Sequence, residues 1–380
     1  MCALVALVLG IFLGGHPELL PGPVRDAFVE EDRALRAEII DMIEDNFYKP
    51  VDEETLDDAS LKGIVQSLED PYSAYISPPE ASAFQESLTG EFDGVGMSVE
   101  KDTRGLRVLE VFERSPAAGA GIRKGDLILA VNGRSIAGLS SGVATGRIKG
   151  PAGTSVRLEV FTPGAADPRT VRVKRERIEV PIARGRVVER DGSTLGVVEL
   201  HGFSQGAHGL LRRQIDRVRE RGAEGIVLDV RGNPGGQLVE AVLVSSIFVE
   251  DGEIVSVRGR SRPERTEDAE GDAIDEDIPV VVLVDGGSAS ASEIVAGALR
   301  DRGRATLVGT NTFGKGLVQE VEALSNGGYL DLTVANYYLP SGKTIGSGGL
   351  KPEVRAKDDP DTRRDEALPV ALDTLLEQRR

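Results

Sequence analysis

The sequence predicts an α/β protein that begins with a helical region and carries a mostly β insertion. Three regions with different sequence patterns along the 380 residues support this fold class. Helical spacing of apolar residues dominates 24–92, short strands with glycine turns fill 93–179, and strands alternate with helices over 180–356. Such alternation is typical of a partly parallel sheet covered by helices. A chain of this length suits two or three domains.

The first 20 residues contain an uncharged apolar run, MCALVALVLGIFLGG. The run is short for a membrane span, which needs about 20 apolar residues. It fits the core of an export signal or a marginal N-terminal anchor better, although the first basic residue is only Arg25. We therefore expect an extracytoplasmic protein, in the periplasm or cell envelope, secreted or tethered to the membrane by this segment. A buried N-terminal helix is the alternative.

The region 24–92 contains two helical patterns, DAFVEEDRALRAEIIDMIEDNFYKP and DEETLDDASLKGIVQSLEDP. It is too thin to bury a large core alone. It could cover the other domains or pair with a second copy, which would make a homodimer.

The region 93–179 predicts an antiparallel, barrel-like module. Strand patterns occur at Met97–Val99, Leu106–Val111 and Leu127–Val131, and a helical stretch lies near Gly142–Ile148. The VNG tripeptide is a hairpin-type turn.

The region 180–356 alternates strands such as TLGVVEL, EGIVLDV, IPVVVLV and ATLVG with helices such as GLLRRQIDRVRERG. Within it, RGRSRPERTEDAEGDAIDED is polar and predicts a mobile loop. Residues 357–380 form a charged C-terminal tail or helix.

The stretch GTNTFGKGLVQ contains GxxxxGK, as a phosphate-binding P-loop does. A P-loop continues with Ser or Thr and then a helix, whereas Gly316 follows Lys315 here. The next residues predict two strands around an SNGG turn. The pattern therefore argues against a nucleotide site, and Lys315 needs another function.

Composition narrows the function classes further. The net charge of −17 disfavours nucleic acid and anionic membrane surfaces as partners. The chain has no Trp, which removes the strongest stacking platform for single strands. A single cysteine, Cys2, excludes an internal disulfide and a Cys-based zinc site.

Three features that could carry chemistry follow predicted strands. DGGSASASEI places serines at a helix N-terminus, and DVRGNPGG lets backbone amides approach a ligand closely. Lys315 stands out because the chain has 10 Lys against 35 Arg, with no lysine between Lys174 and Lys315. A neutral lysine can accept a proton from a serine, which arginine cannot do. Helix capping by serine and an exposed surface lysine are the alternatives. His201 and His208 have no motif with an obvious acid partner.

Two sets of motifs resemble known families. GVGM, SPAAGAGIRKGDLILAVNG and GPAGTSVRLEV resemble a bacterial PDZ domain, which binds an extended C-terminal peptide by strand addition. By this resemblance the peptide carboxylate would bind the loop of Gly94, Val95, Gly96 and Met97.

The motifs EDPYSAYISPPEASAFQESLTGEFDGVGM, VLDVRGNPGG, GGSASASEIVAGALRDRGRATLVGTNTFGKGLVQ and YYLPSGKTIGSGGLKPEV resemble, in order, the carboxyl-terminal processing (tail-specific) proteases. The resemblance runs from about residue 30 to 355. It implies a crotonase/ClpP-like α/β core with no metal or cofactor. It further implies Ser290 as nucleophile, Lys315 as general base and Gln319 as the residue that orients the lysine.

The same resemblance implies oxyanion donors at Ala291 and at Gly235 or Gly236, with Ser288 and Ser292 as structural residues. The expected activity is a Ser–Lys(–Gln) endopeptidase that holds unstructured, apolar C-termini in its PDZ domain and cuts near them. One alternative is a catalytically silent PDZ adaptor or chaperone, and another is a crotonase-like enzyme acting on acyl thioesters.

Overall fold

The structure, a computed structural model, describes residues 31–261, 263–358, 362 and 364–378. Two compact units make up the chain: one comprises the residues up to 78 with 321–332, and the other comprises 79–320 with 333–380. The apolar segment predicted as an export signal or anchor lies outside the described residues. No helix in the described ranges is long and apolar enough to cross a membrane. The extracytoplasmic location and the membrane tether stay predictions.

The first unit confirms the predicted helical region. Its elements are α1 (Glu31–Asn46), α2 (Glu53–Gln66) and β1 (Ala74–Ile76). β1 pairs antiparallel with residues 329–331, which belong to the same unit. Among its described apolar side chains only Val65 and Tyr75 are buried. Two short helices offer each other little surface, so this unit has only a small core, as expected.

Helix α3 (Pro78–Thr89) lies in the second unit from its second residue onward and is followed by the predicted β module. The elements of the module are β2 (Glu91–Gly94), β3 (Met97–Asp102), β4 (Gly105–Val111), α4 (Pro116–Gly119), β5 (Leu127–Val131), β6 (Arg134–Ser135), α5 (Ser141–Ile148), β7 (Ser155–Phe161), β8 (Arg169–Lys174) and β9 (Glu176–Glu179). β3, β4, β5, β7 and β8 form one antiparallel sheet in that order, with β6 beside β5. The predicted strands and the helix near α5 are thereby confirmed. β2 and β9 pair separately as a two-stranded ribbon.

The α/β core fills the rest of the second unit, although residues 321–332 of its strand hairpin belong to the first unit. Its elements are β10 (Ala183–Arg190), β11 (Ser193–Leu200), α6 (Ala207–Glu220), β12 (Ile226–Asp229), α7 (Leu238–Ser246), β13 (Glu253–Gly259), β14 (Arg265–Asp268), β15 (Val280–Val284), α8 (Ala291–Asp301), β16 (Thr306–Gly309), β17 (Leu317–Ala323), β18 (Tyr329–Tyr338), β19 (Val354–Arg355) and α9 (Ala367–Glu377).

The central sheet of this core has the strand order β10-β11-β12-β15-β16-β19. β10 and β11 are antiparallel, and the other neighbours are parallel. Successive side chains of a strand point to opposite faces. Accordingly Val280, Val282 and Val284 pack with helices α6 to α8, whereas Val281 and Leu283 pack with α9. Helices on both faces make this the α/β layer that the sequence predicted.

Two segments outside that sheet differ in how well the sequence predicted them. β17 and β18 pair on either side of the SNGG turn, as expected. The segment expected to be a mobile loop, from Arg258 onward, instead contains β14, which pairs antiparallel with β13. That prediction was wrong because RTED has polar side chains throughout and shows no apolar alternation. Its strand conformation depends on backbone pairing with β13, which the local sequence does not reveal.

The C-terminal segment is a packed element rather than a solvated tail. α9 buries Leu368, Ala371, Leu372 and Leu375 against the second face of the sheet. The Arg190 guanidinium also donates two hydrogen bonds to the Asp373 carboxylate, at 2.9 and 2.8 Å. α9 is the described helix that covers this face, so the core depends on it.

Leu375→Ala should lower the free energy of unfolding by about 2–5 kcal/mol, because it removes a fully buried side chain and leaves a cavity. Urea unfolding followed by circular dichroism measures the change. Glu377→Ala, at an exposed position of the same helix, is the matched control and should shift stability by less than about 0.5 kcal/mol. Equal stability of Leu375→Ala and the wild type would show that α9 does not complete the core.

Candidate active site

Three loops meet at the carboxyl ends of neighbouring parallel strands, where α/β sheets usually place their sites. The glycine loop, Arg231–Gly236, follows β12. The nucleophile turn, Asp285–Ser290, follows β15, and the lysine loop, Thr310–Gly316, follows β16. Since β12, β15 and β16 are adjacent in the sheet, the topology alone brings the predicted site residues to one edge.

Ser290 occupies a strained position at the start of α8. Its backbone has φ 54° and ψ −114°, a region that non-glycine residues rarely adopt. The residue is 8% exposed. The neighbouring serines bind carbonyls of the segment that follows β12: Ser288 Oγ donates to the Val230 carbonyl at 2.8 Å, and Ser292 Oγ to the Asn233 carbonyl at 2.9 Å. These bonds give Ser288 and Ser292 the structural roles that the resemblance implied.

Gly235 touches the nucleophile turn directly. A Cβ at Gly235 would lie 2.9 Å from the Ser290 Cβ and 2.9 Å from the Ala291 nitrogen, and its φ is +98°. Glycine is therefore required here for both space and backbone conformation. The Gly235 amide donates to Asn233 Oδ1 at 3.0 Å.

The three backbone amides predicted as oxyanion donors differ in their hydrogen bonding. Gly235 is engaged by the side chain of Asn233, as described above. No described residue accepts a hydrogen bond from the amide of Gly236 or of Ala291. Because the sequence analysis left Gly235 and Gly236 as alternatives, this difference favours Gly236.

A buried carboxyl group joins the nucleophile turn to the lysine loop. Glu293 Oε2 accepts hydrogen bonds from the backbone amides of Ser290 and Lys315, both at 2.9 Å. Glu293 Oε1 accepts from the Thr312 hydroxyl at 2.5 Å and from the Gly314 amide at 2.8 Å. Glu293 is fully buried, and these four donors compensate for its removal from water.

Sequence reasoning did not identify Glu293. The available signal was the capping-box spacing of a serine followed by a glutamate three residues later, here Ser290 and Glu293. That spacing predicts the bond to the Ser290 amide. It does not predict the bonds from the lysine loop, because those depend on a second strand end.

Lys315 lies between two glycines that the fold requires. A Cβ at Gly314 would lie 2.7 Å from the Gly346 carbonyl oxygen, and one at Gly316 would lie 2.0 Å from that of Ile345. The lysine is half-buried, and its Nζ donates to Gln319 Oε1 at 2.6 Å. Strand β17 follows at once, so a P-loop helix is absent from this described segment, as predicted.

The two histidines outside the N-terminal segment each lie beside a carboxylate, although neither belongs to a motif with an obvious acid partner. His201 Nε2 lies 3.6 Å from Glu199 Oε2, and His208 Nδ1 lies 2.8 Å from Glu240 Oε2. The neighbouring His201 side chain is the main cause that holds the pKa of Glu199 below its usual value. Glu199 is only two residues before His201 in the sequence, whereas Glu240 is 32 residues after His208.

The β module contains an apolar groove of about 280 Å³ between β3 and α5. Val95, Gly96 and Met97 line it together with Phe92, Phe112 and Ile148. The amides of Val95 and Gly96 donate to no described residue. Gly94, the fourth residue predicted for the carboxylate loop, lies in β2 and pairs with Glu176 instead.

Within the described part of the chain, no cluster of three or more His, Cys, Asp or Glu side chains could hold a metal ion.

Comparisons with protein families match three consecutive parts of the chain. The model described as "Peptidase family S41" matches residues 194–356, "PDZ domain" matches 82–161, and "Activating protease CtpB N-terminal domain" matches 32–78. The first match contains the three loops of the site, and the second contains the apolar groove.

The chain is 33% identical over 356 residues to the "Carboxy-terminal processing protease CtpA" of Bacillus subtilis, covering 93% of this chain and 75% of that protein. It is 37% identical over 323 residues to the "Carboxy-terminal-processing protease" of Bartonella bacilliformis, covering 83% and 73%.

Among solved structures, the photosystem II D1 C-terminal processing protease aligns with a TM-score of 0.51 and 28% identity, over 87% of this chain and 94% of that one. A putative S41 protease from Bacteroides fragilis shares the fold, with a TM-score of 0.54 and 20% identity over 87% and 91%. Together with the family matches, these similarities show that the chain belongs to the carboxy-terminal processing proteases, serine-type peptidases of family S41 that carry a PDZ domain.

Proposed function

We propose that this peptidase cuts polypeptides with Ser290 as nucleophile, Lys315 as general base and Gln319 as the residue that orients the lysine. The observation that carries the proposal is the Glu293 carboxyl, which binds the backbone amides of both Ser290 and Lys315. One buried group thereby sets the relative position of the nucleophile and the base. The hydrogen bond from Lys315 Nζ to Gln319 Oε1 supports the orienting role.

In the proposed reaction the neutral Lys315 amine takes the proton of the Ser290 hydroxyl as its oxygen attacks the peptide carbonyl carbon. The carbon–nitrogen bond then breaks, and the lysine ammonium returns the proton to the leaving amine. Water, deprotonated by the same lysine, hydrolyses the acyl-serine and restores the enzyme. Proton transfer requires Nζ to come within about 3 Å of the hydroxyl oxygen.

We assign the oxyanion donors to the amides of Ala291 and Gly236. Neither amide donates to a described residue, and the Cα of Gly235 packs against the turn that carries Ala291. Gly235 then acts by size, because any side chain there would collide with Ser290. Oxyanion donors act through charge that develops in the transition state, so their loss affects turnover more than substrate binding.

The apolar groove of the PDZ domain would hold the substrate's C-terminus. Its side-chain lining is mainly apolar, and the amides of Val95 and Gly96 supply donors suited to a carboxylate. The preferred substrates are therefore unstructured proteins with free, apolar C-termini. The homodimer suggested by the thin helical region stays a prediction.

Ser290→Ala and Lys315→Ala should each reduce cleavage of a denatured protein by several powers of ten, because losing one member of a catalytic unit removes the covalent pathway. Lys315→Arg should be equally inactive, since guanidinium stays protonated. Gel-based cleavage assays measure the loss, and circular dichroism controls for folding. Substantial cleavage by Lys315→Ala would refute the lysine assignment and return attention to His201 and His208. Peptide binding without any serine-dependent cleavage would instead support a PDZ adaptor.

Activity should rise from mildly acidic to mildly alkaline pH, because only the neutral amine can act as a base and an unperturbed lysine titrates near 10.4. Gln319→Glu should move the rising limb to higher pH, since a carboxylate beside the amine stabilises the ammonium form. A pH–rate profile of kcat/KM for both proteins tests this. A wild-type rate that falls between about pH 6 and 9, with the fold intact, contradicts the mechanism.

Amidating the C-terminus of an apolar peptide, or appending two aspartates to it, should weaken binding about ten-fold or more. Amidation removes the carboxylate that the Val95 and Gly96 amides would bind, and the aspartates bring charge into an apolar groove. Calorimetric titration of full-length Ser290→Ala measures affinity without cleavage. Equal affinities for the free and amidated peptides would sink this part of the proposal.

A further inference from the structure

Arg231, the first residue of the glycine loop, is held by three carboxylates. Its guanidinium donates to Asp229 at 2.7 Å and to Asp358 at 3.0 Å, and it forms a two-pronged pair with Asp365 at 3.0 and 2.9 Å. The Arg231 side chain is 18% exposed. Burial opposes its charge, but the hydrogen bonds that Arg231 donates to Asp229 and Asp365 outweigh burial and raise the pKa of Arg231.

Two of these carboxylates come from the C-terminal segment, beyond the part of the chain that the S41 family model matches. The same two carboxylates bind backbone amides at the N-terminus of α9. Asp358 Oδ1 accepts hydrogen bonds from the Glu366 and Ala367 amides at 2.8 and 3.0 Å, and Asp365 Oδ1 accepts from the Leu368 amide at 2.9 Å. The position of the helix and the position of Arg231 are therefore coupled.

From Arg231 the chain runs directly into the residues that would stabilise the oxyanion. The Gly232 amide donates to Asp285 Oδ1 at 2.8 Å, and the Asn233 carbonyl accepts from the Ala289 amide at 3.0 Å. The nucleophile turn thus holds the middle of the glycine loop, while the C-terminal segment holds its beginning. Both anchors precede Gly236 in the chain.

We propose that Asp358 and Asp365 of the C-terminal segment position the oxyanion loop for catalysis by holding Arg231. The inference rests on the proposed function, because it assumes that the Gly236 amide contributes to the oxyanion hole. Arg231 is a positioning residue in this scheme and does not touch the substrate. If its carboxylate partners held Arg231 less firmly, the first residues of the glycine loop could shift. Small displacements of catalytic groups can cost about 10²-fold in rate.

A second contact of α9 makes it possible to distinguish the positioning of Arg231 from the anchoring of the helix itself. Arg190 of β10 binds Asp373 of α9 with two hydrogen bonds, a pair of the same chemistry as Arg231 with Asp365. Neither Arg190 nor Asp373 contributes to the glycine loop. Asp365→Asn and Asp373→Asn each remove one carboxylate charge from the same C-terminal segment, so they form a matched pair of variants.

The experiment measures kcat and KM for a peptide substrate, together with the affinity of a peptide boronic acid of the same sequence. The boronate bonds to the Ser290 oxygen and becomes tetrahedral, so its affinity reports on the oxyanion hole. For Asp365→Asn in the full-length protein we expect kcat to fall about ten-fold, KM to stay unchanged and boronate affinity to fall in parallel. Asp373→Asn should keep kcat and boronate affinity within about two-fold of the wild type, because a partly exposed ion pair outside the active site contributes little free energy.

Wild-type kcat and boronate affinity in Asp365→Asn would overturn the inference, as would equal losses in both variants, which would indicate general destabilisation. If Asp365→Asn does not fold, Arg231→Lys serves as the second variant, because it keeps the charge but lacks the two-pronged geometry. The same fall in kcat at unchanged KM is then expected, and wild-type kcat would overturn the inference. A wild-type enzyme that neither cleaves peptide nor binds the boronate at Ser290 would overturn the proposed function and this inference with it.

Discussion

The geometry of the site depends on the need to satisfy one buried carboxyl group. Glu293 has no access to water, and its two oxygens are compensated by four donors from the protein. One donor belongs to the turn after β15 and three belong to the loop after β16. Leaving any of them unmade would cost roughly 1–3 kcal/mol or more, so the two loops cannot separate cheaply. The relative position of Ser290 and Lys315 is a consequence of that constraint.

The same principle fixes the glycine loop and explains how a strained serine is tolerated. The hydroxyls of Ser288 and Ser292 and the amide of Ala289 all bind carbonyls at Val230 and Asn233. A positive φ at a non-glycine residue costs of order 1–3 kcal/mol and persists only where the surroundings over-determine it. Ser290 meets that condition, because bonds from both sides hold its turn. Side chain-to-backbone bonds between loops, rather than apolar packing, therefore define the proposed active site.

The sequence predicted those parts of the protein that are determined by residues close to one another in the chain. The strand Leu127–Val131 and the SNGG hairpin follow from apolar alternation and turn chemistry, and the structure confirms both. Residues 357–380 were identified only as a charged tail or helix, because the many charges mask the apolar stripe of α9. β14 and the lysine-loop bonds of Glu293 were missed for another reason: each depends on a partner strand or loop far along the chain. The proposed preference for Gly236 over Gly235 likewise rests on the position of the Asn233 side chain.

The C-terminal segment shows how one element can serve two needs of the fold. The second face of the sheet must be covered, and the apolar stripe of α9 does so. Three carboxylates around one guanidinium would be excessive on charge alone, but Asp358 and Asp365 also accept amides at the positive end of α9. Burial raises the pKa of Asp365, yet the hydrogen bonds from Arg231 and the Leu368 amide outweigh it and hold the pKa below its usual value. A carboxyl group with a lower pKa in the folded protein stabilises the fold at pH values above its unfolded-state pKa. This stabilisation is lost as pH falls through the folded-state pKa. The contribution of the Asp365–Arg231 pair to the link between α9 and the glycine loop is therefore lost only as pH falls into the acid range.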